Sequence, residues 1–340
     1  MEISNPVAIN RIQELFKTSR TSIEKDFSPY FYRYFSRFFE NPHRFDGYLD
    51  LCRYLFCVAR AKNASVLDLG CGFGMMATLF GLYGAREVVG YDLNTEKIEV
   101  FNRLLCYLGQ ETKNVKPVLG DSSKIEYPDE SFDIVITNEA LSHVKEMKAS
   151  IDEVHRVLKY GGIFLVRDGN NSLFFVGRMR RRRFWRKIEL GPVDPSAFRS
   201  TDIPLPFIEV RKKMILEKFQ QLNEEETKFL SRRTAGMFGK EIIEAVEEFC
   251  AKGKVSKQPE FPYRNPMTGE FPEREINPFS LRRVLIDRGF EVSFIPYYYS
   301  ESISDIEMVA KRLFYLMGKY FSIFHLFLTP GFAVLGRKKR

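Results

Sequence analysis

Apolar and polar residues recur along this chain with two different periods. Short apolar runs at residues 66–69, 87–91, 115–119, 132–137 and 163–166 read as buried strands. Helix-compatible segments, among them 75–82 and 147–158, lie between them. Strands that alternate with helices indicate a parallel sheet with right-handed crossovers, an α/β architecture whose ligands sit at the carboxyl edge. The tip of each run is polar. Asp92 ends the second, Gly120-Asp121-Ser122 follows the third, Asn138-Glu139 ends the fourth, and Arg167-Asp168 follows the fifth.

The first run breaks into Gly70-Cys71-Gly72-Phe73-Gly74. Alternating glycines let bare backbone lie against a ligand. A dinucleotide turn wants a third glycine three residues after the second, where this chain has Met75. Asp68, two residues before Gly70, would also repel a pyrophosphate, whereas a ligand carrying an ammonium or sulfonium would gain from it.

The loop therefore resembles the first motif of the class I S-adenosylmethionine-dependent methyltransferases. Asp92, about 20 residues on, suits a pair of ribose hydroxyls. Phe132-Asp133-Ile134-Val135 and Val157-Leu158-Lys159-Tyr160-Gly161-Gly162 resemble two further signatures, with Tyr160 where the family usually has proline. The resemblance covers residues 61–170. It implies a Rossmann-like seven-stranded sheet with helices on both faces and an antiparallel last strand. It also implies S-adenosyl-L-methionine as cofactor, held by Asp68, Gly70, Cys71, Gly72, Gly74, Asp92, Leu93, Asp121, Ser122 and Asn138. The layout is similar to bacterial type 11 methyltransferase-domain proteins.

Four segments follow. Residues 1–60 read as a cap of two or three helices. Ser28-Pro29 is a start signal, followed by an apolar stripe at Phe31, Tyr34, Phe35, Phe38 and Phe39. The stripe either packs on the sheet or closes over the cofactor, with Tyr30 or Tyr32 toward the substrate. Residues 61–170 form the cofactor-binding core. Residues 171–277 form a mostly helical insertion after strand 5, with helices at 208–222, 224–233 and 240–252, read as a substrate lid. Residues 278–340 return to the core with a helix, a sixth strand at 290–295 and a seventh at 331–335. Between these last strands, residues 313–328 are mostly apolar but hold Lys319 and His325. The stretch is short for a membrane span, and suits a helix that covers the sheet or lies in a membrane interface.

An apolar content of 44% over 340 residues suffices for a sizeable core. The five cysteines form no Cys-x-x-Cys pair, and the N-terminus lacks a long apolar run. A reducing cytoplasmic setting without a signal peptide is the expectation. The net charge of +8 favours an anionic partner. Six arginines crowd into residues 178–187 around Phe184 and Trp185. They suit a solvated helix face, an anionic membrane surface or, less well, nucleic acid.

Methyl transfer is an in-line displacement that needs alignment, exclusion of water and, for a hydroxyl or ammonium acceptor, a base. His143 is the first candidate base, since histidine titrates near neutral pH; Glu139 and Asp168 follow. No histidine has metal-ligand spacing, so no metal is expected. The absence of an Asp/Asn-Pro-Pro-aromatic sequence after strand 4 weakens a nucleic-acid amine acceptor. The expected function is methylation of a small-molecule, glycan or lipid-linked acceptor, at oxygen. An RNA methyltransferase and a non-catalytic cofactor-binding regulator are the alternatives.

Overall fold

In a computed structural model of the chain, the described residues are 5–169, 175–192, 205–256, 263–267, 269, 276–296 and 331–340, with 316, 320, 323–327 and 329. The chain divides into two compact units, residues 1–174 with 275–340, and residues 175–274.

The first unit opens with five helices: α1 (Pro6–Leu15), α2 (Arg20–Asp26), α3 (Pro29–Tyr34), α4 (Ser36–Glu40) and α5 (His43–Val58). The sequence suggested two or three. The difference lies in local stop and start signals. Ser19 and Ser28 each cap a new helix through their hydroxyls, and Pro29 sits at a first helical position. Phe16 binds these short helices together, with edge or tilted contacts to Phe35, Phe38, Phe39 and Phe45 at 4.6–5.9 Å.

The sheet strands are β1 (Ser65–Leu69), β2 (Glu87–Asp92), β3 (Val115–Leu119), β4 (Phe132–Asn138) and β5 (Leu158–Gly169). The connecting helices are α6 (Met75–Leu82), α7 (Thr95–Leu108) and α8 (Met147–Val157). The second unit then holds α9 (Phe175–Leu190), α10 (Phe207–Lys218), α11 (Glu224–Arg233) and α12 (Lys240–Lys252). The chain returns to the first unit with α13 (Pro278–Asp287), β6 (Phe290–Ile295) and β7 (Gly331–Lys338). The seven-stranded sheet has the order β3-β2-β1-β4-β5-β7-β6. The first five strands are parallel, and β7 runs antiparallel between β5 and β6. This is the Rossmann-like methyltransferase sheet.

Strand β5 is longer than its apolar run. It begins at Leu158, which pairs with Phe132 across a register shift before Ile134 meets Ile163. Asp133 ties the amino ends of three strands together. Its carboxylate accepts from the Ser65 N–H at 2.9 Å, from Lys159 at 2.7 Å and from Arg86 at 3.3 Å. The Phe132–Val135 signature is thus a strand-anchoring device at the end of the sheet away from the glycine loop. Two apolar layers cover the sheet, one centred on Phe31, Phe56, Phe80 and Phe101, the other on Phe132, Ile151, Leu281 and Phe332.

The second unit has its own cores, around Ile215, Leu230, Met237 and Val246, and around Trp185, Ile188 and Phe207. Asn223 and Glu226 form a reciprocal capping box at the start of α11. Most of residues 313–328, and Asn170 and Asn171 beyond the fifth strand, lie outside the described residues. Among the described residues no helix is long and apolar enough to cross a membrane.

Candidate functional site

The carboxyl edge of β1 delivers Gly70, Gly72 and Gly74 with φ of 76°, 57° and 74°. An L-residue rarely adopts this region, so the turn requires glycine at all three positions. Their surroundings differ. A Cβ on Gly70 would meet Ala140 Cβ at 2.6 Å, and one on Gly74 would overlap the Phe101 ring, but a Cβ on Gly72 meets nothing within 4 Å. Gly70 and Gly74 are glycines for packing. Gly72 borders open space, where a ligand can approach the backbone.

Asp92 locks the loop to the tip of β2. One carboxylate oxygen accepts from the Gly72 N–H at 2.8 Å, and the other from the Asn94 N–H at 2.9 Å. Asn94 in turn caps α7 by accepting from the Lys97 N–H at 3.0 Å. Leu93 stands beside Asp92 with 70% of its surface exposed, and Leu119, the register partner of Asp92 on β3, is 49% exposed. Two exposed leucines next to a carboxylate are unusual on a polar strand edge. They offer apolar surface for a flat ring.

Asp68 is the most distinctive group here. It is 3% exposed, and its Oδ2 has no hydrogen-bond partner. Burial, and then the nearby Asp92 charge, push its carboxyl up to about 7, against the pull of the Ala77 N–H. A buried carboxylate whose charge the protein leaves uncompensated is complementary to a cation. Cys71 lines the same loop, and its thiol is pushed well up, first by burial and then by the Asp68 and Asp92 charges. That suits a small loop residue and not a nucleophile.

At the β3 tip, Asp121 is exposed and its Oδ1 accepts from the Ser123 N–H and hydroxyl, both at 2.8 Å. Ser122 pairs its hydroxyl with that of Ser150 at 2.8 Å. Asn138 accepts from the Arg167 guanidinium at 3.0 Å. Arg167 also holds Glu139 at 2.6 Å, from a position where its own side chain is buried. Burial works to raise the Glu139 carboxyl, but the Arg167 charge and hydrogen bond outweigh it and hold it below its ordinary value. Glu139 adopts φ 53°, in the left-handed region, and its N–H donates to the Arg167 carbonyl at 2.7 Å. Strain of this kind persists where surroundings over-determine a conformation.

Asp168 is buried and accepts from the Ser142 N–H at 3.0 Å and from the Gly169 N–H at 2.7 Å. Burial raises its carboxyl, against those hydrogen bonds and the charge of His143. By holding Ser142, Asp168 anchors the 3-10 turn Leu141–His143, whose last side chain is exposed. The structure thus brings His143, Glu139 and Asp168 into one neighbourhood. It gives the two acids jobs in pairing and anchoring, in addition to their strand-tip positions.

From the N-terminal helices, Tyr30 contacts Phe73 of the glycine loop at 5.2 Å, and Tyr34 contacts it at 5.2 Å. Tyr34 belongs to the apolar stripe by spacing, yet it is 52% exposed and lies in reach of the Lys97 and Glu139 charges. Tyr32 instead stacks on Phe39 at 4.8 Å, with Arg20 over its ring, so it belongs to the helical cap. Among the described residues, Tyr34 and Leu119 are site features that spacing alone did not single out, whereas Arg167 was already marked by its place at the tip of the fifth strand. The polar hydroxyl of Tyr34 inside a phenylalanine stripe is a signal that could have found it; Leu119 carries none, since its site role follows from the β2–β3 register.

Residues 67–166 match the family described as "Methyltransferase domain". A methyltransferase of Bacillus subtilis, YcgJ, is 37% identical over 103 residues, which is 30% of this chain and 40% of that protein. A sterol 24-C-methyltransferase of Gibberella zeae is 34% identical over 129 residues, 37% of this chain and 33% of that protein. The aligned part thus spans less than half the length of either relative. The crystal structure of YcgJ superposes with a TM-score of 0.45 at 16% identity, covering 85% of this chain and 98% of that one.

Proposed function

Residues 67–166 are a class I S-adenosylmethionine-dependent methyltransferase domain, and from that premise we propose that the chain methylates a small-molecule, glycan or lipid-linked acceptor at oxygen. The observation that carries cofactor use is Asp68, a buried carboxylate oxygen without a partner beside a glycine loop open at Gly72. When bound, S-adenosylmethionine supplies a methyl group activated on a positively charged sulfur. Asp68 would compensate the cofactor's positive charge, Asp92 would accept its ribose hydroxyls, and Leu93 and Leu119 would flank its base, with Asp121 and Ser122 at the rim. Tyr30 and Tyr34 would help exclude water from the mouth. His143 would take the acceptor's proton, with Asp168 and Glu139 fixing the loop that carries it.

The similarity to sterol 24-C-methyltransferases favours a second reading, transfer to carbon on an apolar acceptor. Incubation with methyl-labelled cofactor and a panel of sterols, lipid-linked sugars, free glycans and RNA, followed by mass spectrometry of the products, separates the two. An O-methyl ether or ester supports the first reading. A C-methyl product replaces it with the second, and label found only in RNA overturns both. In parallel, Asp92→Ala should weaken S-adenosylhomocysteine by about tenfold to a hundredfold in titration calorimetry, the loss expected for charge-assisted hydrogen bonds. An unchanged affinity would remove Asp92 from the cofactor site.

A further inference from the structure

Helix α9 presents a face that the proposed chemistry does not use. At 100° per residue, Met179, Arg183, Arg186 and Leu190 fall on one line along the helix, with Arg182 and Lys187 on its two flanks. All six are exposed. The opposite side is taken up by the unit's own core, where Trp185 and Ile188 are buried. Trp185 meets Phe184 at 4.8 Å and stacks on Tyr263 at 6.0 Å.

Among the described residues, the four cations on this face are uncompensated: none of them has an ion-pair partner. By contrast, Arg20, Arg53, Arg86, Arg156 and Arg288 each pair with an acid. The one acid of the helix, Glu189, is turned inward, where the fully buried Arg211 holds it in an ion pair and also donates to the Ser231 carbonyl at 2.8 Å. Its charge is therefore spent inside the unit and does not offset the exposed arginines.

We infer that this face of α9 is a docking surface for anionic phospholipid headgroups at a bilayer surface. Charge complementarity selects an anion, and the composition of the face selects the membrane. A nucleic-acid strand would want exposed aromatic rings to stack on its bases, but the tryptophan is buried and Phe184 is half-buried. Instead, the exposed Met179 and Leu190 stand at the two ends of the cationic stripe. They can enter the headgroup–acyl boundary while the arginines meet phosphates.

The test is flotation of the full chain with vesicles of phosphatidylcholine alone and of equimolar phosphatidylcholine and phosphatidylglycerol. Binding is expected only to the anionic vesicles, and is expected to vanish in ~1 M salt, where the screening length falls to about 3 Å. Each cation near such a surface is worth about fivefold, so changing Arg182, Arg183, Arg186 and Lys187 together to glutamine should weaken partitioning by on the order of a thousandfold. The affinity for S-adenosylhomocysteine should be unchanged, and hydrogen-exchange protection in α9–α12 should match the wild type, which reports that the unit carrying the substitutions is folded. A second variant, with lysine at the three arginine positions, should bind vesicles within about twofold of the wild type, because a diffuse surface reads charge and not the guanidinium fork. A wild-type chain that fails to float with anionic vesicles, a glutamine variant that floats equally well, or a lysine variant that loses binding overturns the proposal. RNA bound more tightly than anionic vesicles at physiological salt also overturns it.

Discussion

Asp68 is where stability and function oppose each other. Its carboxyl, near 7 in the folded chain, lies near 3.9 in an unfolded one. A raised acid favours the folded state below its unfolded value and loses that benefit as pH rises through its folded value. Between pH 4 and 7 the group therefore lowers stability progressively, by up to about 4 kcal/mol. Asp68→Asn should raise the thermal midpoint of the ligand-free chain at pH 8 by several degrees, with the gain shrinking toward pH 4. The same change should weaken cofactor binding, and in the wild type affinity should fall by about tenfold per pH unit below 7, since a cationic ligand requires the ionised carboxylate. Melting curves and titration calorimetry at pH 6 and 8 measure both effects; a pH-independent affinity would show that Asp68 does not face the cation. That Asp68 is chemically special was legible from its place before a glycine loop. Its missing partner was not, because a partner depends on which side chains the sheet brings near, and sequence spacing is silent on that. For the same reason the Arg167–Glu139 pair could not be read in advance: it depends on the β4–β5 register, which sets Asn138 beside Arg167.

At the scale of elements, the glycine loop and the 3-10 turn after β4 make separable predictions. Gly72→Ala places a Cβ in open space, so it should cost only the ~1 to 2 kcal/mol of a left-handed alanine while excluding the cofactor. Gly74→Ala adds a collision with Phe101 and should destabilise the fold by a further ~1 to 3 kcal/mol. Chemical denaturation read beside S-adenosylhomocysteine binding separates them, and equal stability losses would contradict the packing argument. In the turn, His143→Ala should cut the single-turnover rate by about 10² to 10⁴ with cofactor affinity nearly unchanged, if the imidazole takes the acceptor's proton. His143→Gln keeps a hydrogen bond but cannot take a proton, so a glutamine variant with a near-normal rate would reduce His143 to a wall residue. Element positions were the most legible part of the sequence. Helices α11 and α12 and strands β3 and β6 begin and end where periodicity and caps put them. The N-terminal region was harder, because its phenylalanines are dense enough to satisfy one long helix or several short ones. The two serine caps decide between these.

Over the whole molecule, each compact unit carries its own buried clusters, and the second also holds a buried ion pair of its own. Arg211 is fully buried on α10, and Glu189 of α9 is its only acidic partner among the described residues. Such a pair gives little net stability when intact, but losing one member strands the other charge in a low-dielectric interior at a cost of about 3 to 5 kcal/mol. Glu189→Ala should therefore unfold or loosen residues 175–274, whereas replacing both partners with apolar side chains of similar size should be far milder. Hydrogen exchange resolved along the sequence is the measurement. Protection should fall in α9–α12, while the strands of the sheet keep theirs and S-adenosylhomocysteine still binds at residues 66–92. Loss of protection spread evenly over both units would mean that the chain unfolds as one body. A Glu189→Ala protein as stable as the wild type would mean that Arg211 finds its compensation elsewhere. The pairing also links this scale to the surface of α9. Removing Glu189 leaves the exposed arginines in place, so any change in vesicle binding by that variant reports the folding of the helix and not its charge.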